Sequence, residues 1–197
     1  MPSEVDPCIL VNGSGAEAPA LPTCQHRRMP EPVDPKVTVG PIRADEVEAL
    51  FELFARIVGA GEGYPHAPPL TRSAFDATWV DPVTVVVVAR AGDAGEVIGA
   101  YYLKPNSPGR AAHIANAGYL VDAAWRGRAV GRRLVEDSIE RAPGLGFDAI
   151  QFNLVFESNP ARRLYEELGW VQIGRVPRAV EGEDAIIYWR EVGPGHR

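Results

Sequence analysis

Residues 119–134 (Tyr-Leu-Val-Asp-Ala-Ala-Trp-Arg-Gly-Arg-Ala-Val-Gly-Arg-Arg-Leu) constrain the fold more than any other stretch of this chain. An apolar run ends in a tight, basic turn of small residues, and an amphipathic pattern follows it. That order predicts a strand, a turn and the first turn of a helix. A helix start carries N–H groups with no acceptor inside the helix, and its dipole adds partial positive charge. Both favour an anion, phosphate above all. Arg126, Arg128, Arg132 and Arg133 surround the turn with fixed cations.

The cluster stands out because the whole chain of 197 residues has a formal net charge of −6. That balance argues against a general nucleic-acid binder or a protein held on an anionic membrane. Four arginines around one turn suit a small polyphosphate ligand better. The composition, 46% hydrophobic and 23% charged, is that of a soluble domain with a real core. Cys8 and Cys24 both fall in the N-terminal stretch, so free thiols and a reducing compartment are expected. No apolar run is long enough to span a bilayer, and a signal-peptide pattern is absent at the start, which makes the cytoplasm the expected location. No metal site is expected.

Residues 1–35 are rich in Pro, Gly, Ala and Ser without periodicity and read as a disordered extension. Met29 is an alternative start. From residue 36 onward the pattern reads as one domain to residue 197. Lys36 to Arg43 reads as a strand. Val47, Leu50, Phe51, Phe54 and Val58 form a helical stripe, introduced by the acidic Asp45 and Glu46. Residues 59–69 form a Gly- and Pro-rich loop, and 71–79 a second short helix. Val83 to Arg90 and Val97 to Leu103 make a hairpin, since the β-branched run is too short for a helix. His113 to Val121 is the strand before the basic turn, and a helix covers 129–141. Asp148 to Phe156 is a strand. Asn159-Pro160 then opens the last helix, with Pro in its first position, and Gly169 closes it. Residues 170–176 and 185–190 are closing strands.

This order of elements, β-α-α-β-β-β-α-β-α-β-β, together with two motifs, resembles the GNAT acyltransferase superfamily. The first motif is Arg126-Gly127-Arg128-Ala129-Val130-Gly131, which looks like the superfamily's pyrophosphate-binding signature with Ala129 in place of a usual Gly. The second is Asn159-Pro-Ala-Arg-Arg-Leu-Tyr165-Glu-Glu-Leu-Gly169-Trp170, similar to its Asn-x-x-Ala-x-x-Leu-Tyr-x-x-x-Gly-Phe segment. The resemblance covers roughly residues 36–192. Over about 101–175 it narrows: Lys104-Pro-Asn-Ser-Pro-Gly-Arg110, 113–121 and 151–159 look like a fungal and bacterial branch that includes a yeast acetyltransferase of proline analogues such as azetidine-2-carboxylate.

The resemblance implies an α/β (α+β) fold: a mixed, mostly antiparallel twisted sheet of about seven strands with helices on both faces. It implies an enzyme moving an acetyl group from acetyl-CoA to a small amine, amino or imino acid-like, by direct attack in a ternary complex. The cofactor would be held by Tyr119, Leu120, Val121, Arg126, Gly127, Arg128, Ala129, Val130, Gly131, Arg132, Asn159 and Tyr165. A strand N–H, that of Leu120 or Val121, would stabilise the developing oxyanion, and Tyr165 would protonate the departing thiolate. Asn116 and Asn153 would face the substrate, although strand-pairing amides explain them as well. Asn159 fits a helix cap as readily as a cofactor contact. The strand before the turn has no carboxylate base, which leaves water-relayed deprotonation, binding of an already neutral amine, or His113. Acetylation of a protein lysine or N-terminus is one alternative, and a non-catalytic acyl-CoA sensor is another. The superfamily also allows a homodimer.

Overall fold

The computed structural model describes residues 36–81, 83–93 and 95–193; the expectations for the extension, its cysteines and Met29 lie outside them. Seven strands form one sheet: β1 (Thr38–Pro41), β2 (Val85–Ala91), β3 (Glu96–Pro105), β4 (Ile114–Val121), β5 (Ala149–Phe156), β6 (Val171–Val180) and β7 (Glu183–Glu191). Their order is β1-β2-β3-β4-β5-β7-β6. Every neighbouring pair is antiparallel except β4–β5, which is parallel. The helices are α1 (Val47–Gly59), α2 (Arg72–Trp79), α3 (Val130–Arg141) and α4 (Arg162–Glu167). The fold class expected from the resemblance is the one observed.

The sheet carries helices on both faces because its strands are apolar on both. Leu50, Leu53, Phe54, Ile57 and Val58 of α1 join Phe75 and Trp79 of α2, and pack on Val88, Ala100, Tyr102 and Leu120. On the opposite face Val130, Leu134 and Val135 of α3 join Tyr165 of α4 over Ala115, Ala117, Phe152 and Ile186. Each such fully buried Val, Leu, Ile or Phe side chain contributes about 1.5–3 kcal/mol. Leu53 and Ile57 widen the stripe expected for α1, while Phe51 lies half-buried at its edge. Thr71 caps α2, its hydroxyl accepting the Ala74 N–H at 3.2 Å.

The last helix departs from expectation. Pro160 is not its first residue: α4 starts at Arg162, and Asn159 Oδ1 accepts the Ala161 N–H at 2.9 Å in a turn ahead of it. Proline's fixed φ suits that turn as well as a helix start. Gly169, at φ 86°, does close α4, and a Cβ there would stand 2.4 Å from the Arg190 guanidinium.

Candidate active site

A fork between β4 and β5 organises the site. The two strands pair only from Ile114–Ala149 to Asn116–Gln151, yet β4 continues to Val121 and β5 to Phe156. Asn116 stands at the splitting point. Its Nδ2 donates to the Gln151 carbonyl at 3.1 Å, and its Oδ1 accepts the Tyr102 hydroxyl at 3.3 Å. The side chain thus extends the ladder where the backbones part.

Hydrogen bonding fixes which β4 peptide groups face the fork. Asp122 N–H donates to the Ile98 carbonyl, and Asn106 N–H to the Ile114 carbonyl, both at 2.8 Å. Even-numbered residues of β4 therefore turn their peptide groups to β3, and odd-numbered ones to β5. Leu120 pairs with Ala100 on β3, so its N–H belongs to the ladder, which corrects the expectation that it could hold an oxyanion. The groups turned into the fork are those of Tyr119 and Val121. The Tyr119 carbonyl there accepts the Tyr64 hydroxyl at 3.1 Å.

At the end of β4 the chain turns into α3. The first helical bond is Arg133 N–H to the Ala129 carbonyl, 3.1 Å, which leaves the N–H groups of Val130, Gly131 and Arg132 without helical acceptors. No side chain caps them. Ala129 sits at φ 60°, in the left-handed region that favours glycine. Arg126, Gly127 and Arg128 are exposed, and a Cβ on Gly127 would meet nothing within 4 Å. The turn is open to a phosphate and its amides are free to hold one, so these residues fit the pyrophosphate of an acyl-CoA.

The arginines are not equivalent. Arg126 is hydrogen-bonded to Glu62 of the α1–α2 loop, which lowers the pKa of that carboxyl. Arg132 pairs with Glu167 at 2.7 Å. Arg133 reaches away, to the Val37 carbonyl at 2.8 Å. Arg128 lies over the Trp125 ring at 4.9 Å, and among the described residues no carboxylate pairs with it.

Tyr165 stands at the wall of the fork. Its ring lies 4.8 Å from Phe152, 5.9 Å from Trp170 and 6.3 Å from Tyr119, between centroids. Burial raises the phenol's pKa well above its ordinary value, so it stays protonated across the working range of pH. Asp122, the carboxylate just past β4, accepts Ala124 N–H and pairs with Arg56, each at 2.9 Å. The Ala124 N–H, then Arg56, lower its pKa, which makes it a poor base.

Other expected residues are brought in unevenly. Asn153 is exposed on β5, donating to Asn106 Oδ1 at 2.6 Å and accepting from Gln151 Nε2 at 2.9 Å. Asn159 caps the turn before α4. His113 precedes the first residue of β4, at the closed end of the fork and far along the strand from Tyr119; its Nδ1 lies 3.1 Å from the Arg110 carbonyl. The imidazole near the fork is instead His66, whose ring centroid is 6.1 Å from that of Tyr64. Thr78 donates its only hydroxyl proton to the Ala74 carbonyl at 2.8 Å, so His66 Nε2, 3.0 Å from Thr78 Oγ1, must be the donor between them. Nδ1 is then an unprotonated acceptor, buried without a partner among the described residues. Burial, then Lys104, lowers the His66 pKa. Sequence reasoning missed Glu62, Tyr64, His66 and Tyr102. The first three lie in a loop whose composition says only that it turns.

Among the described residues, no three His, Cys, Asp or Glu gather as metal ligands, and no helix is long and apolar enough to cross a membrane.

In sequence and in fold the chain is similar to known acetyltransferases. The model of the acetyltransferase (GNAT) family matches residues 47–170. The chain is similar to N-acetyltransferase aca1 of Schizosaccharomyces pombe, 42% identical over 99 residues; the match spans 47% of this chain and only 47% of that relative. N-alpha-acetyltransferase RimI of Mycobacterium tuberculosis is 27% identical over 161 residues, 80% of this chain and 94% of that one. The solved structure of a GCN5-related N-acetyltransferase from Kribbella flavida superposes with a TM-score of 0.73 at 37% identity, covering 79% of this chain and 98% of that one.

Proposed function

This chain belongs to the GNAT acetyltransferase family, and from that premise we propose that it transfers an acetyl group from acetyl-CoA to the amine of a small molecule, amino or imino acid-like. The observation that carries this reading is the fork, which leads the Tyr119 and Val121 N–H groups directly to the open α3 turn.

In this reading Gly127, Ala129, Val130 and Gly131 hold the pyrophosphate through backbone N–H groups, with Arg128 free to reach outer oxygens. Acetyl-CoA supplies the activated thioester. The Tyr119 N–H donates to its carbonyl oxygen as charge builds there, and Val121 steadies the arm leading to it. The amine attacks directly, having lost its proton to water or having entered neutral. Tyr165 gives its proton to the sulfur as the carbon–sulfur bond breaks, and the proton shed by the acylated nitrogen returns to the phenolate through water. Holding amine and thioester together supplies much of the acceleration.

We take residues 36–197 as the catalytic unit and 1–35 as an extension, in a cytoplasm that provides acetyl-CoA. The exposed apolar side chains of the edge strand β6, Val171 at 58% and Ile173 at 55%, suit pairing with a second copy. RimI's match along most of its length favours a second reading, in which the acceptor is a protein N-terminus.

A thiol-release assay with amino acids, imino acids, polyamines and peptides tests the proposal. Release is expected with free amino or imino acids, and Tyr165→Phe is expected to lower kcat by about 100-fold. Release with peptides alone would establish the second reading. Coenzyme binding without release from any acceptor would make the chain a sensor.

A further inference from the structure

Beside the fork, on the face carrying α1 and α2, stands a half-buried ammonium with no counterion among the described residues. Lys104 ends β3 directly across from Asn116, with its Nζ 4.9 Å from the centroid of the Tyr102 ring. That ring is fixed. It lies so close over Gly118 that a Cβ there would come within 2.6 Å of it, and Trp79 meets it edge-on at 5.1 Å. Among the described residues no carboxylate lies within ion-pair distance of Lys104, and burial alone lowers its pKa.

His66 lies near enough to feel its charge, and the polar side chains of the neighbouring strands are neutral amides. Asn116 uses one Nδ2 proton on Gln151 and has a second to offer. Asn106, Gln151 and Asn153 run in a hydrogen-bonded chain beyond it. In a protein with 26 acidic residues, a rim of amides around one unpaired cation is a distinct electrostatic site. A desolvated ammonium is stabilised by an anion that enters with it. Arg128 and the α3 turn, at the other end of the fork, are assigned to the phosphates in the reading above.

We infer that Lys104, with the free Asn116 N–H beside it, is the carboxylate-binding subsite for the acceptor, and so the residue selecting amines that carry an acid group. The inference rests on the small-molecule reading above. The Tyr102 ring forms the floor on which the acceptor's carbon skeleton lies, which points its amine along β4 toward Tyr119.

The test compares an imino acid with its carboxamide, proline with prolinamide, in the wild type and in Lys104→Met, which keeps the length and removes the charge. The ratio of kcat/KM for acid over amide is expected to fall at least tenfold in Lys104→Met and to recover in part in Lys104→Arg. The Kd for CoA, read by calorimetry, serves as the check that the variant is folded. In a second calorimetric measurement with CoA present, the wild type is expected to bind N-acetylproline more tightly than N-acetylprolinamide. An unchanged ratio in Lys104→Met, with both compounds still acetylated by the wild type, overturns this inference and leaves the parent reading standing. A wild type that acetylates neither compound, nor any other small amine, overturns both.

Discussion

At the scale of single residues, Ala129 shows how a site can override local preference. An alanine at φ 60° is strained by about 1–2 kcal/mol, and the strain persists where the turn must present its amides outward. Ala129→Gly is therefore expected to raise stability by about 1 kcal/mol, a net of relieved strain and extra unfolded-chain entropy, read from denaturant melts. It is also expected to leave the CoA Kd unchanged or tighter; destabilisation would mean the left-handed turn is wrong. The open turn was legible in the sequence because Arg126 to Gly131 is contiguous. Choosing between the Leu120, Tyr119 and Val121 N–H groups was not possible from sequence, since it depends on which way β4 faces β3. The histidines illustrate the same limit: His113 lies just before β4, at the closed end of the fork, and His66 comes to the fork through a loop.

Among the elements, the α1–α2 loop is the part that periodicity left blank. It closes over the fork through Tyr64 on the Tyr119 carbonyl and Glu62 on Arg126. Both contacts join segments more than fifty residues apart, and no local pattern encodes them. In the proposed reading Glu62 competes with a phosphate for the same guanidinium. Glu62→Gln is thus expected to lower the Kd for CoA about two- to fivefold at low salt, with the gain shrinking as ionic strength rises. Weaker binding would show that the loop contact helps rather than competes. The regular elements were far more readable. The stripe of α1, the β-branched run of β2 and the Gly169 cap each follow from local chemistry. The start of α4 did not, because an Asx-type turn with Pro160 mimics a helix opening. The fork itself leaves no mark in either strand's composition.

For the molecule as a whole, the sheet holds two cores of different character, and the α1–α2 side carries a half-buried histidine. Folding lowers the His66 pKa below its ordinary 6.5, so the unfolded chain takes up a proton that the native state refuses. Stability is then full above about pH 6.5 and falls as pH drops below it, before the carboxylates titrate. The unfolding midpoint of the wild type is expected to fall between pH 7 and 5, and that of His66→Gln to fall less; parallel slopes would dismiss the effect. The overall architecture was recoverable from sequence because two motifs, in order and correctly spaced, carry the fold with them. The acceptor was not, since the groups that would recognise it converge from β3, β4 and the loop between α1 and α2. The proposed function depends on the coenzyme's phosphates meeting the start of α3, and an amide-resolved NMR titration with CoA measures that directly. The account predicts that the N–H signals of Val130, Gly131 and Arg132 move most, with Tyr119 and Val121 following. Saturation by CoA with those five amides unmoved would contradict it.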